Sequence, residues 1–333
     1  MTEERFVDVT RGGYAESVHR VAICAVDASG TVIEEAGDVK SPVFLRSAAK
    51  PFIAAAAVAG GVVARFRLEP REIAVMAASH SGEPYHVEAV RSILNKIGLD
   101  SSALQCGVQT PFDERAAQAL RDAGEQPSVL HNNCSGKHAG ILALCLAIGA
   151  DTATYLRPDN PAQQQILAFC ARLSDDDPTT WPVAVDGCGI PVYATGLRNG
   201  ALAFARMATL SGIAPSDAEG LRVVRDAMLE FPHYVAGTGQ FDTDLMLAGR
   251  GTIVSKAGAE GVHAVAAIAA GYGFAAKVLD GASRGRGPAS ISALRRLGVL
   301  DERQTRELTR FARPPVYNRA GDTVGEIVSR DNV

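Results

Sequence analysis

The chain has 333 residues, with 33 Lys and Arg against 37 Asp and Glu, for a formal charge of −4. That balance excludes nucleic acid as an obligate partner, because tracking phosphates needs a net basic face, and it excludes a polybasic membrane anchor. Hydrophobic residues make up 47% and charged residues 21%, a globular composition in which aromatics reach only 6%, so Ala and Val must fill the core.

The opening MTEERFVDVTRGG carries acids and no apolar run, so it does not read as a signal peptide and the cytoplasm is the default location. From Val18 to Gly37 the pattern is strand, turn, strand: RVAICAV and TVIEEAG flank the turn-forming Asp27-Ala-Ser-Gly30. An Ala-rich helix follows in FLRSAAKPFIAAAAVAGG and stops at Gly60-Gly61. Helical periods then occupy 70–79, 83–97, 113–123, 137–148, 162–173 and 218–230, interrupted by a short apolar strand or loop at 183–190. After Gly249 strands return in GTIVSKAG, VHAVAAIA and GYGFAAKVLD, followed by helices at 288–297 and 302–311 and a last strand at 322–329. The longest apolar stretch, 264–276, is thirteen residues and too short to span a bilayer.

Strands at both ends around a helical excursion predict an α+β fold in which both chain ends build one antiparallel sheet. The sheet lobe is expected at about 15–45 and 250–333 and the helical lobe at about 46–235, together one catalytic unit over 1–333. Six cysteines in a chain this long do not describe a disulfide scaffold. Cys24, Cys145 and Cys170 lie in apolar runs and read as small buried hydrophobes, whereas Cys134 and Cys188 have polar and Gly neighbours.

Four constellations carry chemistry. Ser47-Ala-Ala-Lys50 places a lysine three residues after a serine at a helix start, where the positive dipole end and apolar Phe44, Pro51 and Phe52 favour a neutral amine able to take the serine proton. Ser255-Lys256-Ala257-Gly258 lies late in the chain on an expected strand. In penicillin-recognising serine hydrolases a Ser-x-x-Lys helix start is paired with a late Lys-Thr-Gly strand, and here Ala replaces the Thr. Ser79-His80-Ser81-Gly82-Glu83 is either an N-cap serine for the next helix or a second hydroxyl for the site. His131-Asn-Asn-Cys134-Ser-Gly-Lys137-His138 lacks the upstream Gly and the Ser/Thr of a phosphate loop. With Cys188 in Val185-Asp186-Gly187-Cys188-Gly189 it offers soft metal ligands, Cys134 and Cys188, completed by His138 or Lys137. A polar structural loop, and a Cys134 nucleophile with His131 or His138 as base, are the competing readings. Asp186 is a candidate for binding a substrate ammonium group. The residues alone describe a serine-based acyl-transfer hydrolase with a candidate metal site, and do not name its substrate.

Arg46-Ser47-Ala-Ala-Lys50-Pro51, Ser79 to Glu83, His131 to His138, Val185 to Gly189, Ser255 to Gly261, Lys277 to Gly281 and Arg284 closely resemble the Rhizobium-type L-asparaginases, the asparaginase II family. The resemblance runs from about Val18 to Ser329. It implies hydrolysis of L-asparagine to L-aspartate and ammonia in a homodimer, on a fold similar to serine β-lactamases and glutaminases. It also implies two Ser-Lys tandems, Ser47 with Lys50 and Ser79 with Lys256, and zinc held by Cys134, Lys137 and Cys188. Substrate-binding roles fall on Arg46, His80, Asn133 and Asp186. A Thr-Gly-Gly-Thr segment and a self-processing Thr nucleophile are absent from the sequence, so the two unrelated routes to this chemistry are not expected. The alternatives are a β-lactamase-like or glutaminase-like serine hydrolase with another acyl donor, a zinc-stabilised non-catalytic amino-acid-binding protein, and a Cys134 thiol hydrolase.

Overall fold

A computed structural model describes residues 4–332. Met1 to Glu3 of the acidic opening segment lie outside the described residues. Eleven strands are formed among those described: β1 (Arg5–Arg11), β2 (Tyr14–Asp27), β3 (Val32–Ala36), β4 (Pro42–Phe44), β5 (Val183–Val185), β6 (Pro191–Gly196), β7 (Ile253–Ala257), β8 (Val262–Ala267), β9 (Tyr272–Val278), β10 (Pro315–Tyr317) and β11 (Thr323–Ser329). The chain divides into two compact units, one of residues 1–48, 195–209 and 244–333, the other of residues 49–194 and 210–243.

The first unit is built on an antiparallel sheet of order β10-β11-β1-β2-β9-β8-β7, with β3 also on β2. The expected sheet from both chain ends is present: Val7 pairs with Ser329 and Val9 with Ile327. β1 itself was not among the expected strands, although Val7 and Val9 alternate with Asp8 and Thr10 and are buried while their neighbours are not. Strand β2 is long enough to carry β1 along its first half and β3 along its second, with β9 on its other edge from Val21 to Asp27. Its central residues, Val21 to Val26, are all buried. A continuous apolar run of this kind marks a strand covered on both faces rather than one.

The helix Leu197–Thr209 packs on the sheet and belongs to this unit. It falls within the stretch assigned from sequence to the helical lobe, and the sequence reading passed over it. Its placement follows from two glycines: a Cβ on Gly273 of β9 would lie 2.0 Å from the Ala201 carbonyl oxygen, and one on Gly200 would lie 3.0 Å from the Leu45 side chain. The register puts Ala266 of β8 opposite Gly273 and His263 opposite Ala276. Residues 263 and 266 differ in parity, so they point to opposite faces. His263 meets Ser290 of the helix Arg286–Arg296. The two helices therefore cover opposite faces of the sheet.

The second unit is mainly helical. The helices Lys50–Ala59, Pro70–Met76, Pro84–Lys96, Glu114–Asp122, Ser135–Ile148, Pro161–Ser174 and Pro215–Glu230 match the expected ones within a few residues, and β5 pairs with β6 from Val183–Tyr193 to Val185–Pro191. The first of these starts at Lys50 and not at Ser47: Pro51 fixes the opening turn, and residues Arg46–Ala49 form a 3₁₀ turn before it. The helix expected at 302–311 is broken at Leu308 into Glu302–Glu307 and Thr309–Ala312, and the helix Phe241–Gly249 was not anticipated. No helix among the described residues is long and apolar enough to cross a membrane, and the thirteen-residue apolar stretch is resolved as strands β8 and β9.

Gly273→Ala is expected to destabilise the protein by at least about 1–3 kcal/mol, since the clash is with helix backbone and not with a movable side chain. Urea unfolding of the variant beside the wild type measures it.

Candidate active site

The boundary between the compact units falls just after Ala48, so Ser47 and Lys256 belong to one unit and Lys50 and Ser79 to the other. In the helical unit the Lys50 side chain is 1% exposed. Its Nζ donates to the Ala78 carbonyl at 2.7 Å, to Ser79 Oγ at 2.9 Å and to the Asn133 carbonyl at 3.4 Å. An ammonium has three N–H donors, shared among these acceptors and the Cys134 sulfur, with which Lys50 is also hydrogen-bonded. Burial pushes this amine below the usual lysine range, against an opposing pull from Cys134. Once it loses a proton, the two carbonyls, which only accept, retain two N–H groups. The lone pair is then left facing the Ser79 hydroxyl. The partner that the structure gives Lys50 is thus Ser79.

Ser79 is held from both sides. Its N–H donates to the Val235 carbonyl at 2.9 Å, and the N–H of His80 donates to the Asn133 carbonyl at 3.3 Å. His80 is fully buried, with Nε2 on Ser135 Oγ at 2.9 Å and Nδ1 accepting from Gly82 N–H at 3.2 Å. Burial holds it well below the usual histidine range, as a neutral ring. With both nitrogens occupied, His80 shapes the loop rather than offering a free group to a ligand. The N-cap of the following helix is Glu83, not a serine: its N–H donates to His86 Nδ1 at 3.2 Å.

The helix Ser135–Ile148 begins immediately after Cys134 and is buried along most of its length. Gly136 permits this, because a Cβ there would lie 2.1 Å from the Val75 carbonyl oxygen of the helix Pro70–Met76. The Gly before Lys137 thus serves a close helix crossing. Asn132 donates to the carbonyls of Cys106 and Gly107 at 2.9 and 3.1 Å and accepts from Cys134 N–H at 2.9 Å, fixing the turn into the helix. Asn133 is half-buried and offers its backbone carbonyl to Lys50 and His80. His131 Nδ1 is paired with Ser128 at 3.0 Å and His138 Nδ1 with Tyr155 at 2.7 Å, while His138 Nε2 is buried with no hydrogen-bond partner among the described residues.

Lys137 is 1% exposed and its Nζ donates to Cys188 Sγ at 2.9 Å. Cys134 is also buried and hydrogen-bonded to Cys188, and the pair shares one proton unequally. The hydrogen bond from Cys188 and the nearby Lys137 and Lys50 amines hold Cys134 well below the usual thiol range, while Cys188 is pushed up. Lys137 loses basicity through burial but gains more from Cys134 and Cys188, and stands above its usual value. Asp186 is half-buried in the turn that carries Cys188, where Gly189 N–H donates to its carbonyl at 2.8 Å. No group of three or more His, Cys, Asp and Glu able to hold a metal occurs among the described residues. Two thiols and a lysine, buried in mutual contact with one thiol already biased toward a thiolate, nevertheless make a donor set that fits a zinc ion once Lys137 gives up its proton on binding.

In the sheet unit Ser47 is half-buried in the 3₁₀ turn, and Arg46 before it has φ +52°. A left-handed arginine is strained, and such strain clusters at functional positions. Lys256 is fully buried on β7, with Nζ donating to the Ala257 carbonyl at 2.9 Å. Gly258, which ends the Ser255-Lys256-Ala257-Gly258 motif, is required by space: its Cβ would lie 2.5 Å from the Leu45 carbonyl oxygen. That contact lays the Lys256 strand beside the segment leading into Ser47.

Sequence reasoning missed Gln109. Its Oε1 accepts from Asn133 N–H at 3.4 Å, and its Nε2 is buried with no partner among the described residues. It lies in an irregular loop with no motif to mark it.

A family model described as L-asparaginase II matches residues 7–329. The chain belongs to that family. Membership makes it an amidohydrolase that acts on asparagine. No curated protein matches the chain significantly. Among solved structures it is similar to Mglu, at 16% identity and TM-score 0.37 over 85% of this chain and 68% of that one. A second Mglu structure, determined in 4.3 M NaCl, gives 18% identity and TM-score 0.37 over 84% of this chain and 60% of that one, so this chain spans less than two thirds of it. A β-lactamase candidate from Bacteroides dorei DSM 17855 gives 19% and 0.39 over 77% and 84%.

Burial lowers His86 to about 4. Below about pH 6.5 an unfolded chain protonates this imidazole while the folded chain does not, so stability falls as pH drops from there to about 4, by up to about 3 kcal/mol. Urea unfolding at pH 7 and pH 4.5 is expected to show a larger loss for the wild type than for His86→Asn.

Proposed function

We propose that the chain hydrolyses the side-chain amide of L-asparagine to L-aspartate and ammonia through a serine ester, with Lys50 as the base. The observation that carries this is the Lys50 amine, buried, lowered in basicity and oriented by two carbonyls toward a serine hydroxyl. In the reading that follows the sequence motif, Ser47 gives its proton to Lys50 as its oxygen bonds to the amide carbon. The C–N bond then breaks as the proton held by Lys50 passes on through the Ser79 and Lys256 groups to nitrogen, which leaves as ammonia and returns Lys50 to its neutral, basic form. Water, deprotonated by the same base, attacks the aspartyl ester, releases aspartate and restores the serine. The hydrogen bond between Lys50 and Ser79 favours a second reading, in which Ser79 itself carries the aspartyl group.

Cys134, Lys137 and Cys188 would hold a zinc ion. When bound, such an ion supplies fixed positive charge that orients the substrate, because thiolate donors leave it a poor Lewis acid for making hydroxide. Asp186, in the same turn, is suited to the substrate ammonium group.

Ammonia release from asparagine, with glutamine run beside it, tests the mechanism. Ser47→Ala is expected to lose about a thousandfold or more in rate while staying folded. Retained activity in Ser47→Ala together with a dead Ser79→Ala moves the ester to Ser79. No release by the wild type from either amide overturns the functional reading, and a panel of other acyl donors, a chromogenic β-lactam among them, then decides its replacement. For the metal set, a chelated but folded sample is expected to show a larger rise in KM for asparagine than fall in kcat. Loss of all turnover at saturating asparagine would refute the orienting role.

A further inference from the structure

The motif Ser79 to Glu83 ends in a carboxylate that the mechanism does not use. Glu83 Oε1 accepts from Ser81 Oγ at 2.8 Å, from Tyr85 OH at 2.9 Å and from Thr238 N–H at 2.8 Å, while Oε2 accepts from Thr238 Oγ1 at 2.8 Å. These donors hold the carboxyl below the usual range in spite of partial burial, so it is an acceptor only at neutral pH. At the other end of the motif Ser79 N–H donates to the Val235 carbonyl at 2.9 Å. Residues 235–238 and 79–83 are therefore pinned together at both ends. Between the pins, Gly237 has φ +122° and a Cβ on it would lie 2.0 Å from Ser81 Oγ and 2.8 Å from Glu83 Oε1. The Gly237 backbone lies directly against the Ser81 and Glu83 side chains, with no room for a side chain of its own.

We propose that Glu83 is a positioning residue: by clamping Thr238 and Ser81 it holds the segment 235–238 against the motif, and so fixes Ser79 where Lys50 meets its hydroxyl. This rests on the reading that Lys50 and Ser79 take part in the reaction. Two features set the role apart from a general contribution to stability. The carboxylate bridges two segments 155 residues apart in sequence, and the segment it captures supplies the acceptor for the Ser79 backbone. Replacing Oε2 by NH₂ leaves the shape but removes the charge that all of these donors face and forces the Thr238 hydroxyl to turn from donor to acceptor.

The test uses the full chain. Glu83→Gln is expected to lower kcat on asparagine about ten- to a hundredfold, the loss typical of a slightly displaced reacting group, with KM within about twofold. Thr238→Val is expected to move in the same direction by less, and Thr238→Ser, which keeps the hydroxyl, to stay near wild type. Hydrogen exchange read by mass spectrometry supplies a second readout that needs no activity. Peptides covering 79–83 and 235–240 should exchange faster in Glu83→Gln, with the rest of the chain unchanged. Wild-type kcat in Glu83→Gln overturns the proposal, as does unchanged protection of those peptides or faster exchange spread over the whole chain. If Glu83→Gln does not fold, Thr238→Val decides on the same terms. If the wild type does not act on asparagine, the functional reading fails, and the exchange pattern alone decides whether Glu83 positions Ser79.

Discussion

One buried amine organises the helical unit. A lysine ammonium taken from water is costly unless each of its donors finds an acceptor, and the surrounding chain is arranged to supply three. Two come from backbone carbonyls in separate segments, Ala78 after one helix and Asn133 before another, so the side chain ties three stretches of sequence to a single point. The third is the hydroxyl of Ser79, which unlike the carbonyls can also give up a proton. Burial makes the charged form expensive and carbonyl geometry decides which direction the lone pair takes. The same hydrogen bonds that hold the fold set the orientation of the amine.

The neighbouring sulfur cluster depends on that arrangement. Cys134 lies one residue after the Asn133 carbonyl that receives Lys50, and its low proton affinity owes part of its depth to the Lys50 and Lys137 amines. Two lysines brought this close repel, and the Cys134 thiolate is what makes their proximity tolerable. Protonation of one group in this set thus changes the balance for the others, and they titrate as a system rather than as separate residues.

Much of this was legible in the sequence. The helical periods fell where helices form, and the apolar run of β2 and the strands β7, β8 and β9 were visible because buried strands leave continuous hydrophobic stretches. The helix Leu197–Thr209 was missed because Asn199 and Gly200 interrupt its first turn, and Gly200 packs closely against the Leu45 side chain. The motif residues were legible as a set, but their reasons were not. Gly136 and Gly258 look like pieces of chemical signatures, yet each is dictated by a backbone carbonyl of another segment, Val75 or Leu45, which no local pattern announces. Pairing was equally hidden. Spacing put Lys50 with Ser47, whereas tertiary contact put its amine on Ser79, and Glu83 read as an ordinary residue before a helix until Thr238 was seen against it.

The pairing of β1 with β11 has a consequence for how the chain acquires this structure. Val7 cannot find its partner until Ser329 has been made, so the sheet unit waits on contacts between residues far apart in sequence. During synthesis the segment 49–194 leaves the ribosome as one uninterrupted stretch of the helical unit, rich in short-range contacts that form quickly. For that interval β1, β2 and β3 are complete but lack β9 and β11, and they present unpaired edges of apolar strand to the cell. The hazard of misassembly for this protein is therefore concentrated in nascent chains that have stalled before β9, rather than in the finished molecule.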